Sequence, residues 1–317
     1  MTESGGMIAD NNTSAVVPPG ASDVTVSEYS RERTAAELIE AIDKLLEDEQ
    51  EVSKPKRIRA SSLGLECGRR LAYDFLWATP PKRFEGRMLR LFQDGNNAET
   101  ELLDYLRRIG WEVIDRDPSN PKKQIWVEAL DGHVGGFIDG IGRDRAHGGP
   151  WRIIEAKTHS KDSFAKLLRD TVDIAKPEHV GQFAFYGYVL GIPRAAYIAK
   201  NKNDSAVTIE LKELSQTHMQ RLLERADAIV GKRVLPPKIG STPNSFKCRT
   251  CDHAAGVCHG GFAPERNCRT CAHSKTAPAA TWVCELHKCV IGKELMALGC
   301  EQYDVHDLLR AADGQEK

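Results

Sequence analysis

The sequence predicts an α/β fold, a central mixed sheet with helices packed on its faces, followed by a small cysteine-rich C-terminal region. Three observations predict it. Short β-rich runs succeed one another between Trp111 and Lys157, then alternate with segments of helical period up to residue 230. The composition changes after Pro236-Pro237, and residues 240–300 hold few aliphatic side chains. Six of the nine cysteines lie between Cys248 and Cys284, a clustering that reads as metal binding in a reducing compartment rather than as disulfides.

Taken in order, residues 1–30 are rich in Ser, Gly, Asn, Thr and Pro without periodicity, the composition of a disordered tail. Residues 33–50 place Leu38, Ile39, Ile42, Leu45 and Leu46 at helical spacing with acids between, which predicts a packing helix. A basic stretch with Arg57, Arg59, Arg69 and Arg70 surrounds Cys67, and Lys82, Arg83, Arg87 and Arg90 follow. Gly95 is expected to open a helix with Leu102, Leu103 and Leu106 on its core face and Glu99 one turn in. Trp111–Ile114 and Gln124–Leu130 are β-rich runs, Gly132–Gly142 is glycine-rich and apolar, and Trp151–Lys157 is a further strand. A helix is expected over 161–170. A second starts at Pro177, a residue suited to the first helical turn, and runs to Leu190. Ala195–Ala199 and Ala206–Leu211 read as strands, and a long helix near 214–230 closes the region. The cysteine-rich segment beyond cannot build a core of its own and needs metal staples.

The net charge of −1 leaves no global basic field, so any nucleic-acid surface must be a local patch. No apolar stretch approaches the roughly 18 residues of a membrane span, and the N-terminus lacks a basic start followed by an apolar run. A cytoplasmic protein without membrane association is expected.

The chemistry concentrates in two short words, Gly136-Phe137-Ile138-Asp139-Gly140 and Ile154-Glu155-Ala156-Lys157. Adjacent strands ending side by side can present Asp139 and Glu155 to one divalent cation, and hard carboxylate oxygens suit Mg²⁺ or Mn²⁺. Glu155 and Lys157 stand two apart on a strand and so share a face. Ala156 points away, although its carbonyl can still ligate the metal. An ammonium beside a metal-bound water helps to position or deprotonate it and offsets charge on an attacked phosphate. Gly135, Gly136 and Gly140 flank Asp139, as expected where a substrate backbone comes close. His179, Gln182 and Tyr186 fall on one helix face.

The order Gly95-x3-Glu99, His133 through Asp139-Gly140, Glu155-x-Lys157, Gln182-x3-Tyr186 resembles the RecB-like branch of the PD-(D/E)xK exonucleases. That branch holds the CRISPR-associated RecB-like nucleases, the AddB nuclease domain and many phage exonucleases. The likeness spans about residues 57–260. It implies a restriction-endonuclease-like core and a metal-dependent DNA exonuclease of recombination, repair or phage DNA metabolism, in the host cytoplasm if of phage origin. A recombination or repair partner protein belongs to that setting. By the same resemblance Asp139, Glu155 and Ala156 are the metal ligands, Glu99 completes the site from a helix, Lys157 is the catalytic lysine, and Gln182 and Tyr186 contact the scissile region. His133 matches the position before the metal-binding strand. Lys202, in Asn201-Lys202-Asn203, also looks like the phage members, and Arg69 and Arg70 of the basic stretch are expected, with it, to contact DNA phosphates. Two other readings stay open: a sequence-tolerant endonuclease, and a non-catalytic nucleic-acid-binding or assembly subunit.

The cysteines divide in two. Cys248-x2-Cys251-x6-Cys258 supplies three thiolates, and Cys67 is the one cysteine outside the C-terminal region. In the AddB and CRISPR-associated relatives, one cysteine before the core joins three after it around a 4Fe–4S cluster. The likeness implies such a clasp here, closing a nuclease domain over 31–260. Cys268-x2-Cys271-x12-Cys284-x15-Cys300 suits tetrahedral Zn²⁺ in a small module over 261–317, with His287 and Cys289 as rival ligands. A different partition, the ribbon Cys248, Cys251, Cys268 and Cys271, is also within zinc-ligand spacing.

Overall fold

The computed structural model describes residues 33–310; the tail expected over 1–30 lies outside them. The fold is mixed α/β. Helix α1 (Ala35–Glu49) begins with a capping box in which Thr34 and Glu37 satisfy each other's backbone N–H. Strand β1 (Ile58–Arg59) leads into the short α2 (Ala60–Leu63), then α3 (Gly68–Leu76). Helix α4 runs over Gly86–Arg108. It therefore begins nine residues before Gly95, which sits inside it with open space around its Cα. The glycine that matters is Gly86, where a Cβ would meet the Asp43 backbone at 2.5 Å.

Six strands follow: β2 (Trp111–Ile114), the hairpin β3 (Arg116–Asp117) and β4 (Asn120–Gln124), β5 (Trp126–Ala129), β6 (Val134–Phe137) and β7 (Gly140–Asp144). Next come β8 (Arg152–His159), α5 (Lys161–Ala175), α6 (Pro177–Leu190), β9 (Arg194–Asn201), β10 (Val207–Glu213) and α7 (Gln216–Val230). Helix α5 extends past the expected end at 170 by crossing a break at Thr171, whose φ is 61°. Helix α6 has Pro177 at its start and Gly191 in the left-handed conformation at its end.

The main sheet has the order β10-β9-β8-β7-β2. Strands β8 and β9 are parallel and the other pairs antiparallel, so the sheet is mixed. A second sheet, β1-β6-β5, lies beside it. The chain passes from β6 of the small sheet to β7 of the large one through Ile138 and Asp139. Period-two alternation sorts β8 between layers. Ile154 and Ala156 pack with Leu102, Leu103 and Leu106 of α4 on one face. Ile153 joins the larger core, shared with Phe164 of α5 and Phe183 and Phe185 of α6, on the other.

The cysteine-rich region carries β11 (Ser274–Ala277), β12 (Thr281–Cys284) and β13 (Cys289–Val290) as one small sheet, then α8 (Lys293–Leu298) and α9 (Asp307–Arg310). Although few of its residues are aliphatic, it is tied to the main core. Trp282 is fully buried there, and so is Arg269. The Arg269 guanidinium stands 4.0 Å from the Trp77 ring and 4.9 Å from the Trp282 ring. It donates to the carbonyls of Phe75 at 2.9 Å and Lys56 at 2.8 Å. Burial lowers its pKa only to about 9, so the charge survives at neutral pH, held by carbonyls and π faces. No helix among the described residues is long and apolar enough to cross a membrane.

Candidate active site

Asp139 sits at the crossing between the two sheets, 6% exposed, with its carboxylate turned toward β8. Its Oδ2 accepts the backbone N–H of Ala156 at 2.8 Å. Glu155, one residue earlier on β8, is fully buried. Lys157 lies on the same face of that strand. Its Nζ forms ion pairs with Glu155 Oε1 and, at 3.4 Å, with Asp139 Oδ2, and reaches the Ala156 carbonyl at 3.2 Å. Beyond that ion pair neither Glu155 oxygen has a hydrogen-bond partner.

The electrostatics follow from this crowding. Burial, then the charge of Asp139, raises the Glu155 carboxyl. Burial opposes the Lys157 ammonium, but Glu155 and Asp139 outweigh it and hold the lysine charged beyond its ordinary range. Glu99 arrives from α4, in the opposite layer, and takes a 3.0 Å hydrogen bond from Gln124. Burial first and Asp139 second push its carboxyl up to about 7, against the pull of Lys157. Asp139, Glu155, Lys157, Ala156 and Glu99 are thus brought together.

Gln182 and Tyr186 of α6 are buried on the Glu155 side of the sheet. The Tyr186 hydroxyl donates to the Phe137 carbonyl at 2.7 Å, two residues before Asp139. Burial and Glu155 raise its pKa, so it stays a neutral donor. Two of the three glycines that flank Asp139 make room for aromatic side chains, while a Cβ at Gly140 would meet nothing nearer than 3.5 Å. A Cβ at Gly136 would stand 2.6 Å from the Tyr186 hydroxyl, and one at Gly135 would stand 2.5 Å from the Trp126 ring. The space expected for a substrate backbone is filled there by the protein itself.

His133 is not brought to the carboxylates. It is buried against Phe75 and Trp282, and its Nε2 lies 2.8 Å from the Ala277 carbonyl. Six residues separate it from Asp139, roughly 20 Å of extended chain. Its role is to join β6 to β11.

The sequence reading missed a network at the end of the parallel pair. Tyr197 lies opposite Glu155 in register. Its hydroxyl is 2.8 Å from His159 Nε2 and 2.8 Å from His179 Nδ1, and His159 Nδ1 is 2.9 Å from the Ser163 hydroxyl. Burial, with Lys176 and Lys157 nearby, lowers His159 to about 4, and burial and Lys157 lower His179 to about 3. Both imidazoles are neutral and relay hydrogen bonds rather than charge. His159 was legible as the residue two after Lys157 on one strand; the pairing of β8 with β9 was not. Lys202 is at this end, its N–H donating to the His159 carbonyl at 2.9 Å.

Arg69 and Arg70 lie elsewhere. Arg69 Nε donates to the Pro236 carbonyl at 2.5 Å, and Arg70 lines a pocket of about 200 Å³ that Cys67, Cys248, Cys251 and Cys258 share. Burial raises the Cys251 and Cys258 thiols, with Cys67 adding to both. A second pocket, about 230 Å³, is lined by Cys268, Cys271, Cys284, Cys289 and Cys300 with His287, whose Nε2 is 3.7 Å from Cys300 Sγ. Burial and then Cys271 push the Cys268 thiol up to about 11. As placed, no three His, Cys, Asp or Glu side chains among the described residues close on one point as a metal site. At the carboxylates, Lys157 Nζ fills that point.

Residues 69–275 match the family model described as the PD-(D/E)XK nuclease superfamily. No curated protein matches the chain in sequence. Among solved structures it is similar to the alkaline exonuclease LHK-Exo from Laribacter hongkongensis, at 14% identity and a TM-score of 0.40 over 56% of this chain and 87% of that one. LHK-Exo in complex with dAMP gives 14% and 0.38 over 60% and 90%. The protein SSO0001 gives 16% and 0.37 over 68% and 94%.

Proposed function

The chain belongs to the PD-(D/E)XK nuclease superfamily, and from that premise we propose that it is a metal-dependent DNA exonuclease of the RecB-like kind, serving recombination, repair or phage DNA metabolism. One observation carries the reading. A single cationic atom, Lys157 Nζ, is met by Glu155, by Asp139 Oδ2 and by the Ala156 carbonyl. These are the oxygens a hard divalent ion would use, and the ammonium stands in for it. The donor set fits: all are oxygens, Glu155 is buried without hydrogen bonds beyond its ion pair, and Glu99 is close enough to feel Asp139.

Mg²⁺ or Mn²⁺, when bound, supplies a Lewis acid for the phosphate and an acidified water. Lys157, on the same strand face as Glu155, would then be free to position the attacking water and offset the phosphate charge. Ala156 N–H keeps the Asp139 carboxylate aimed, and Tyr186 holds the β6 end through the Phe137 carbonyl. Gln182 lies one turn before Tyr186 on α6, within reach of the scissile region. Lys202, beside His159, offers a phosphate contact.

Two further metals are part of the proposal. Cys67, Cys248, Cys251 and Cys258 hold a 4Fe–4S cluster that clasps the domain of residues 31–260, supported by the one pocket they line. Cys268, Cys271, Cys284 and Cys300 hold zinc in a module over 261–317, with His287 as the alternative ligand. The ribbon set Cys248, Cys251, Cys268 and Cys271 is divided between two pockets, which favours the first partition. Arg69 and Arg70 contact DNA where it passes this clasp.

The test is cleavage of end-labelled linear DNA and of covalently closed circular DNA with Mg²⁺ or Mn²⁺. Degradation of the linear form alone is expected. Cleavage of the circle makes the protein an endonuclease, and DNA binding without turnover in either metal makes it a non-catalytic subunit.

A further inference from the structure

Helix α1 is docked with its polar side inward. Asp43 pairs with Arg90, Glu47 Oε1 accepts the Gly86 N–H at 2.8 Å, and Gln50 exchanges two 2.9 Å hydrogen bonds with the Phe84 backbone. The aliphatic side faces away. None of its 15 residues is fully buried; Leu38, Ile39, Ile42 and Leu45 are 48%, 58%, 51% and 56% exposed, and Leu46, at the edge of the stripe, is half-buried. The expectation of an ordinary packing helix is therefore reversed. A helix of about 15 residues is marginal in water unless packing covers its apolar face, and removing that face from water is favourable. The stripe is built to be covered.

Its pattern says by what. Leu38, Ile39, Ile42, Leu45 and Leu46 are symmetric about Ile42 in the sequence. A second copy of α1 running antiparallel, on a two-fold axis through Ile42, sets each aliphatic level with another, Leu38 with Leu46 and Ile39 with Leu45. Self-complementarity of this kind is what an isologous interface requires. The charges agree. Antiparallel packing lays the acidic last turn, with Asp48 and Glu49, over the start of the other helix, where the dipole is positive, Arg33 precedes the Thr34 cap and Glu37 is the single acid of the first turn. Parallel packing would set the two acidic turns side by side. We propose that the chain forms a two-fold dimer through antiparallel α1 helices with Ile42 on the axis.

The test is the mass of the full chain by light scattering and sedimentation across a wide dilution series. The mass should rise from 35.1 kDa toward twice that value with concentration. Ile42→Glu, alone or with Leu38→Glu, should raise the dissociation constant at least tenfold. The melting temperature measured at a dilution where both proteins are monomeric should not move, because that side chain is exposed in the monomer. Glu49→Lys should weaken the dimer less. A monomer at every concentration overturns the proposal and assigns the stripe to the 32 preceding residues or another protein. A dimer indifferent to Ile42→Glu overturns it too, by placing the interface elsewhere.

Discussion

The carboxylate of Asp139 accepts the backbone N–H of Ala156 at 2.8 Å, so a side chain from the crossing between two sheets is fixed by the strand that carries Glu155 and Lys157. That bond separates two roles of Asp139. Asp139→Asn keeps an oxygen for the Ala156 N–H and removes a negative charge that raises both Glu155 and Glu99. It should unfold in denaturant at or above the midpoint of the unaltered protein while losing metal-dependent cleavage. Asp139→Ala leaves a buried N–H without an acceptor and should lose about 1–3 kcal/mol. If the asparagine variant is the less stable of the two, the bond does not do what is claimed for it.

Lys157 predicts an unusual split between metal affinity and activity. Its ammonium lies among the oxygens that would hold the cation, so binding must displace it. Lys157→Ala should bind Mn²⁺ at least as tightly as the unaltered protein in a calorimetric titration. Cleavage should fall on the order of 100-fold or more, as for loss of a group that handles the reacting proton. Weaker Mn²⁺ binding together with retained cleavage contradicts both halves.

Glu99 gives the pH dependence. Its carboxyl is held up to about 7 against an ordinary 4.5. A raised acid contributes stability that is full below about 4.5 and is lost as pH rises through about 7. Metal-free protein should therefore melt lower at about pH 8 than at about pH 5 to the extent that Glu99 contributes, and Glu99→Gln should flatten that slope. Metal and proton compete for the same oxygens. Mn²⁺ affinity should climb by up to tenfold per pH unit below about 7 and level off above it. An affinity that is flat from about pH 6 to pH 8 removes Glu99 from the ligand set.

The arrangement of the candidate site was largely legible because its geometry is local. Glu155 and Lys157 share a face by strand period, Gln182 and Tyr186 by helix period, and Asp139 stands in a turn between two β-rich words. What was hidden depends on long-range packing. The pairing of Glu155 with Tyr197 follows from the crossover through α5 and α6, which no short window contains. His133 lies close to the Asp139 motif in sequence, yet its side chain is claimed by Trp282 and the Ala277 carbonyl, 144 residues away for the latter. Nothing local in the sequence marks Arg269 as a core residue, yet it is buried between Trp77 and Trp282. Helix α1 was legible as amphipathic, but which side turned inward was not, because that was decided by Asp43 and Glu47 meeting the start of α4.

The two cysteine pockets predict separable metals. Cys67 lies at the start of α3 and Cys248 after the whole core, so a cluster bridging them closes a chain loop of about 180 residues. Loop closure of that length stabilises chiefly by restricting the unfolded chain. The second pocket draws all its cysteines from residues 268–300 and closes only short loops. Protein purified without oxygen should carry iron and zinc together and be brown. Cys67→Ser should lose the iron and the colour, keep the zinc, and melt well below the unaltered protein. Cys284→Ser should lose zinc with iron unchanged, and the damage should be concentrated near Arg269 and Trp282, where the C-terminal region meets the core. Protein that is colourless with two zinc atoms per chain, both retained in Cys67→Ser, would falsify the iron–sulfur clasp and restore the ribbon partition.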